Sequence, residues 1–191
     1  MSSKTQLANA SFSLLGIEAT LNVDDDQGDE AIAFRGLYDI TRLEVLRATS
    51  WRFAMRTAEL PESTSTAGIG FTKAYQLPTN PKCLQVVKIK LEADESWSRY
   101  GEEIHANRAP TIDYVADVGV AEFDATATSA LMYLIASRLA IPLKGSSTTG
   151  ERYFMMYKDT MIEARQSNSQ ERGRPDNSRL SLTNARFNGI R

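Results

Sequence analysis

The stretch Tyr38-Asp-Ile-Thr-Arg-Leu-Glu-Val-Leu-Arg-Ala-Thr-Ser-Trp51-Arg-Phe-Ala54 constrains this chain most. It reads as the back half of a helix that runs into a cluster of large apolar groups. Some twenty residues on, the pattern changes: Ala74-Tyr-Gln-Leu-Pro78 and Cys83-Leu-Gln-Val-Val-Lys-Ile-Lys-Leu91 are strand-like. A helix ending in tryptophan, followed by strand-like sequence, marks a junction between a helical part and a β part. No block of comparable specificity elsewhere carries catalytic chemistry. The chain therefore specifies surfaces to be packed rather than a reaction, and no enzymatic activity is expected.

Helical spacing recurs on both sides of the β block. Leu7, Ala10, Leu14 and Ile17 suggest a first helix over residues 4–16, capped by Ser2 or Ser3 and ended by Gly16. A second spans about residues 29–50. Phe34, Leu37, Tyr38, Val45 and Ala48 form one stripe, with Ile40, Leu43 and Leu46 beside it. So wide an apolar arc predicts packing on two sides. Arg35, Arg42 and Arg47 take the remaining face. After the β block, Asp124 can cap a helix that is apolar on most faces and ends near Pro142 and Gly145. A fourth helix, 147–166, places Tyr153, Met156, Tyr157, Thr160, Met161 and Ala164 on one stripe. That stripe suits a core, and methionine also suits a partner surface.

The middle third predicts further strands at Ser96–Tyr100, Glu103–Ala106 and Thr111–Val118. These elements make an α+β fold. Residues 1–58 and 119–166 form a four-helix body, and 59–118 an inserted small antiparallel β domain. Trp51, Phe53, Tyr75, Leu77 and Pro78 are the expected joint between them.

Reactive side chains are sparse. Cys83 is the one cysteine, so no internal disulfide can form, and a small core side chain on a strand is its expected role. His105 is the one histidine, expected to be structural or exposed. One His and one Cys cannot supply the usual closed zinc set. No Gly-x-Ser-x-Gly elbow accompanies the histidine. Gly68-Ile-Gly70 lacks the helix opening of a phosphate loop. Asp24-Asp-Asp-Gln-Gly28-Asp-Glu30 lacks the ligand spacing of a calcium loop and reads as an acidic approach to a helix N-terminus. Neither cofactor nor metal is expected. No apolar run approaches the ~20 residues that span a bilayer, and the N-terminus lacks the build of a signal peptide. A soluble protein, made in a cytoplasm or in a particle assembled there, is expected.

Periodicity stops at Ser167. Residues 167–191 carry five arginines against two acids, which gives the segment +3 and leaves −5 for the rest of a chain of net charge −2. Leu180, Leu182, Phe187 and Ile190 interrupt its polar run. Ordering such a segment costs about 1–2 kcal/mol per residue. An extended arm that docks in a groove on a partner accounts for both features. Its candidate contacts are Arg172, Arg174, Arg179, Leu180, Leu182, Arg186, Phe187 and Ile190.

The ordered set of blocks resembles the head-to-tail adaptor proteins of tailed bacteriophages, the tail tubular protein A family of short-tailed phages. The resemblance rests on Leu7–Gly16 and its acidic loop; Tyr38, Arg42, Val45 and Leu46 leading into Trp51-Arg-Phe-Ala54; and Tyr75-Gln-Leu-Pro78 before Leu84–Ile89. It continues through Tyr100-Gly-x-x-Ile104, Asp113-Tyr-Val-x-Asp117 before Phe123, and Leu131–Leu143. It covers roughly residues 5–165. One departure follows Pro78, where the family often has an acidic residue and this chain has Asn80-Pro81-Lys82.

The resemblance implies a structural virion protein of the phage neck, assembled in the host cytoplasm. Such adaptors form a dodecameric ring beneath the portal protein. Their C-terminal arms dock on the portal, the opposite face receives the tail nozzle, and DNA passes through during ejection without specific binding. Phe34, Tyr38, Arg42, Tyr153, Met156 and Tyr157 would then pack subunit against subunit. A nucleic-acid-binding module, with the basic arm as its grip and Trp97 or Tyr100 as stacking surfaces, is the alternative.

Overall fold

The computed structural model describes residues 3–91 and 95–170, and among these it holds four α-helices and two three-stranded antiparallel sheets. The fold is α+β. Helix α1 (Lys4–Leu14) starts at a capping box: Ser3 Oγ accepts the Gln6 amide, and Gln6 Oε1 accepts the Ser3 amide at 2.8 Å. Gly16, at φ 62°, turns the chain away after the helix. Helix α2 (Asp29–Ala48) opens with Asp29 and Glu30 at the positive end of its dipole. It buries Ala31, Phe34, Tyr38, Thr41, Val45 and Leu46. The arc is narrower than the sequence suggests, because Ile40 stands 66% exposed and Leu43 is half-buried.

Helix α3 (Ala125–Lys144) is the centre of the body. Asp124 accepts the Ala127 amide at 2.7 Å to start it, and Gly145 in the left-handed region ends it. Pro142 lies within its last turn rather than beyond it. By length and composition this helix could cross a membrane. Its side chains from Ala127 to Ala140 are instead packed among α1, α2 and helix α4 (Ser147–Gln170). The α3–α4 approach is close at Gly150, where a Cβ would stand 3.0 Å from the Ser137 carbonyl oxygen. Tyr153 donates its hydroxyl to the Leu14 carbonyl at 2.5 Å and so ties α4 to the end of α1.

Two boundaries differ from expectation. Helix α4 continues to Gln170, so residues 167–170 belong to the body. Adding a residue to an existing helix needs no apolar stripe, since each one gains a backbone hydrogen bond. The expected arm contacts Arg172, Arg174, Arg179, Leu180, Leu182, Arg186, Phe187 and Ile190 lie outside the described residues. The β part also begins earlier than 59. Strand β1 (Met55–Glu59) follows a 3-10 turn at Arg52–Ala54. Only Thr57 in it is β-branched, so the partner strand decides its conformation.

The first sheet has the order β1-β6-β3, with β3 Cys83–Lys90 and β6 Thr111–Ala116. The second has the order β2-β5-β4, with β2 Lys73–Gln76, β4 Trp97–Tyr100 and β5 Glu103–Ala106. Ile112, Tyr114, Val115 and Ala116 of the central strand β6 are buried. Ile104 and Ala106 do the same for β5. Side chains of helices and sheets join one continuous buried cluster.

Candidate junction between helices and sheets

The chain leaves the helical body at Thr49–Ala54 and returns through Asp117–Phe123. Trp51 sits at the first crossing, 1% exposed. Its indole N–H donates to the Val45 carbonyl at 2.7 Å, which satisfies the one polar atom of a buried ring. That carbonyl lies in the last turn of α2, where helical partners run out. The Trp51 ring lies 5.7 Å from Phe53, and Phe53 lies 5.1 Å from Phe123 of the returning segment. Three aromatic rings therefore bridge the outgoing and incoming chain.

An arginine pins each crossing. Arg42 of α2 donates from Nη1 to Asp117 Oδ1 at 2.5 Å and to the Val118 carbonyl at 2.6 Å. It also stands 3.8 Å from Asp39 on its own helix. Arg56 of β1 donates to the carbonyls of Phe53 and Met55, and its Nη2 pairs with Glu122 at 2.8 Å. Both guanidiniums hold a backbone carbonyl and a carboxylate together.

Tyr75 and Leu77 are buried and Pro78 half-buried on the far side of the joint. Leu77 donates its amide to Glu102, and Pro78 accepts the Cys83 amide at 2.9 Å. The departure at Asn80-Pro81-Lys82 forms a turn between these points, with a cis Asn80–Pro81 peptide and a Thr79–Lys82 bridge. Burial raises the Tyr75 hydroxyl above its ordinary range.

The residues expected between subunits mostly lie inside this one. Phe34 is wholly buried, stacked 5.4 Å from Tyr38 and edge-on to Phe12. Tyr38, Tyr153 and Tyr157 are each under 10% exposed. Burial raises the hydroxyls of Tyr38 and Tyr157. Arg42 spends its charge on Asp117. Five of the six are thus structural within the chain, and only Met156 keeps appreciable surface. The outward face of α4 is apolar elsewhere, at Phe154, Met155 and Ile162.

A second polar cluster lies on the β2-β5-β4 sheet. Glu103 accepts the hydroxyls of Ser63 and Ser65 at 2.6 and 2.8 Å, and these hydroxyls hold its carboxyl below the usual range. His105 Nε2 stands 3.6 Å from the same carboxylate. The order Ser–Glu–His places the acid between hydroxyl and imidazole. The base that touches the serines is thus the Glu103 carboxylate rather than the imidazole, and their hydroxyls lower its affinity for a proton. Cys83 is buried, and burial pushes its thiol up, away from thiolate chemistry. In the acidic loop, Asp24 pairs with Lys4, and Asp26 accepts the Gly28 amide at 2.8 Å. Among the described residues no group of three His, Cys, Asp or Glu side chains is set to hold a metal ion.

Of the residues expected at the joint, the structure brings Trp51 and Phe53 beside Phe123, while Tyr75 lies on β2 with Leu77 and Pro78 just after it; Arg56, Asp117 and Glu122 were not among the expected residues. The pairs Arg42–Asp117 and Arg56–Glu122 join residues far apart in the chain, and no local spacing announces them. No protein-family model matches the chain, and no curated protein matches it.

Proposed function

We propose that this chain is a structural subunit of a phage neck, a head-to-tail adaptor whose ring joins the portal to the tail nozzle and surrounds the DNA channel. The single observation that carries the reading is the joint. A helical body and a β part are spliced through two chain crossings, each pinned by an arginine and bridged by Trp51, Phe53 and Phe123. In this reading the joint would carry load between the two ends of a subunit. The blocks that resemble the adaptor family fall on α1, α2, β2, β3, β5, β6 and α3 in the same order. The exposed Phe154, Met155 and Ile162 on α4 offer contact area for a neighbouring subunit in place of the buried stripe.

In this reading the arm comprises residues 171–191 and docks on the portal, where ring symmetry multiplies weak single contacts. The protein acts without catalysis or cofactor and resides in the virion. The nucleic-acid alternative is less well supported. Trp97 and Tyr100 are three positions apart on one strand, so they face opposite sides of the sheet and make no common stacking platform. Deleting residues 171–191 is expected to leave the circular dichroism spectrum intact and to abolish portal binding in co-sedimentation. Unfolding of the truncated chain, or undiminished portal binding, would contradict the reading.

A further inference from the structure

The segment from Ser63 to Thr72 lies across the second sheet as a strap. Glu103 holds Ser63 and Ser65, and Asn107 Oδ1 accepts the Thr72 amide at 3.0 Å. Between these fixed ends the strap has one polar fastening of its own. The Gly68 amide donates to His105 Nδ1 at 2.8 Å. A backbone N–H can only donate, so Nδ1 must be the bare nitrogen and the proton of the neutral ring sits on Nε2. That Nε2 is buried and makes no hydrogen bond, although it points toward Glu103. Tyr100 covers one face of the imidazole at 4.5 Å, and Phe71 of the strap meets it edge-on at 6.3 Å. The approach is close at position 68, where a Cβ would stand 3.0 Å from Nδ1 and 3.4 Å from the Tyr100 ring.

We propose that His105 is a proton-sensitive latch for the strap 63–72: the neutral ring fastens it through Gly68, and the doubly protonated ring releases it. Protonation at Nδ1 turns the acceptor into a donor, and two donors then face each other at hydrogen-bond distance. Glu103 is the charged group beside the ring. Glu103, on the same strand, attracts a charged imidazole but lies beyond Nε2 and offers Nδ1 no acceptor. Tyr100 of β4 presents only its ring face. The β2 residue opposite His105 is Ala74, which is uncharged, and Gly68 and Phe71 of the strap bring no charge. The fastened state therefore holds at higher pH and is lost as pH falls. Release would free the strap tip, where Ile69 already stands fully exposed and Gly70 takes φ +90°. This inference is independent of the adaptor reading.

Amide hydrogen exchange on the full chain tests it, with rates expressed as protection factors at about pH 8 and about pH 5. Gly68 is expected to lose roughly tenfold or more of its protection on acidification, while amides of α3 keep theirs. His105→Gln, which can accept through its amide oxygen and does not titrate, is expected to abolish that pH dependence. Unchanged Gly68 protection in the native chain overturns the proposal, as does an equal loss in α3 or an equal pH response in H105Q. Imidazole nitrogen NMR of the native chain gives a reading that does not depend on the variant's folding. At about pH 8 an Nε2–H tautomer is required, and an Nδ1–H tautomer sinks the latch.

Discussion

The helical body and the two sheets solve the same problem with unequal means. Around α3 the body gathers three other helices, and that helix buries eight side chains, half of them alanine. Each sheet has only three strands, some of four residues, and β4 forms an edge. The principal helix–strand contact is that of α2 with β3. Small sheets of this size need a packed face to be stable. Here that face is continuous with the helical core. The difference teaches that the β part depends on the joint more than the body does. Trp51, Arg42 and Arg56 add specific fastenings to that shared core.

The comparison breaks most visibly at Trp51. Trp51→Ala is expected to destabilise the chain by about 3–5 kcal/mol in denaturant unfolding, through lost burial and a cavity between Val45, Phe53 and the returning chain. A loss under about 1 kcal/mol would mean that the aromatic bridge does not carry the joint. Arg42→Ala comes next. It strips Asp117 and the Val118 carbonyl of their partner at a site where the arginine is 12% exposed and the aspartate 29%. Partial solvent access moderates the cost to about 2 kcal/mol. Amide exchange should quicken in β3 and β6 more than in α3, and equal quickening would erase the distinction between the two parts.

The smallest effect is a pH dependence to which the first sheet contributes through Asp113. The Thr57 hydroxyl, followed by Lys90, holds the Asp113 carboxyl below its ordinary value of 3.8. A carboxyl lowered on folding contributes stability above its unfolded value and loses it as pH falls through the folded value. Thermal unfolding of the native chain should therefore weaken below about pH 4, and Asp113→Asn should flatten part of that slope. An unchanged slope in the variant would assign the acid sensitivity elsewhere.

What could be read from the sequence follows the range of the interactions involved. Capping by Asp124 and the turn at Gly145 are local and were legible; of the two serines offered for the first cap Ser3 is used, and of the α4 stripe Tyr153, Tyr157, Met161 and Ala164 are buried while Met156 and Thr160 are not. Strands β3 and β6 showed through their β-branched residues. Strand β1 did not, because Met55-Arg-Thr-Ala-Glu59 becomes a strand only by pairing with β6. The exposure of Ile40 was hidden too, since periodicity marks an apolar arc without saying which part finds a partner. The Arg42–Asp117 and Arg56–Glu122 fastenings were the least legible. They span the whole β part, and a charged residue beside an apolar stripe looks the same whether it meets water or a distant carboxylate.

The central claim is that a joined body and β part build a ring subunit that seats on a portal. Native mass measurement of the full chain, alone and mixed with a portal protein encoded in the same genome, tests this directly. The account predicts a closed ring of many copies bound to the portal, lost when residues 171–191 are removed. A single copy in both samples, with no mass added to the portal, would contradict it.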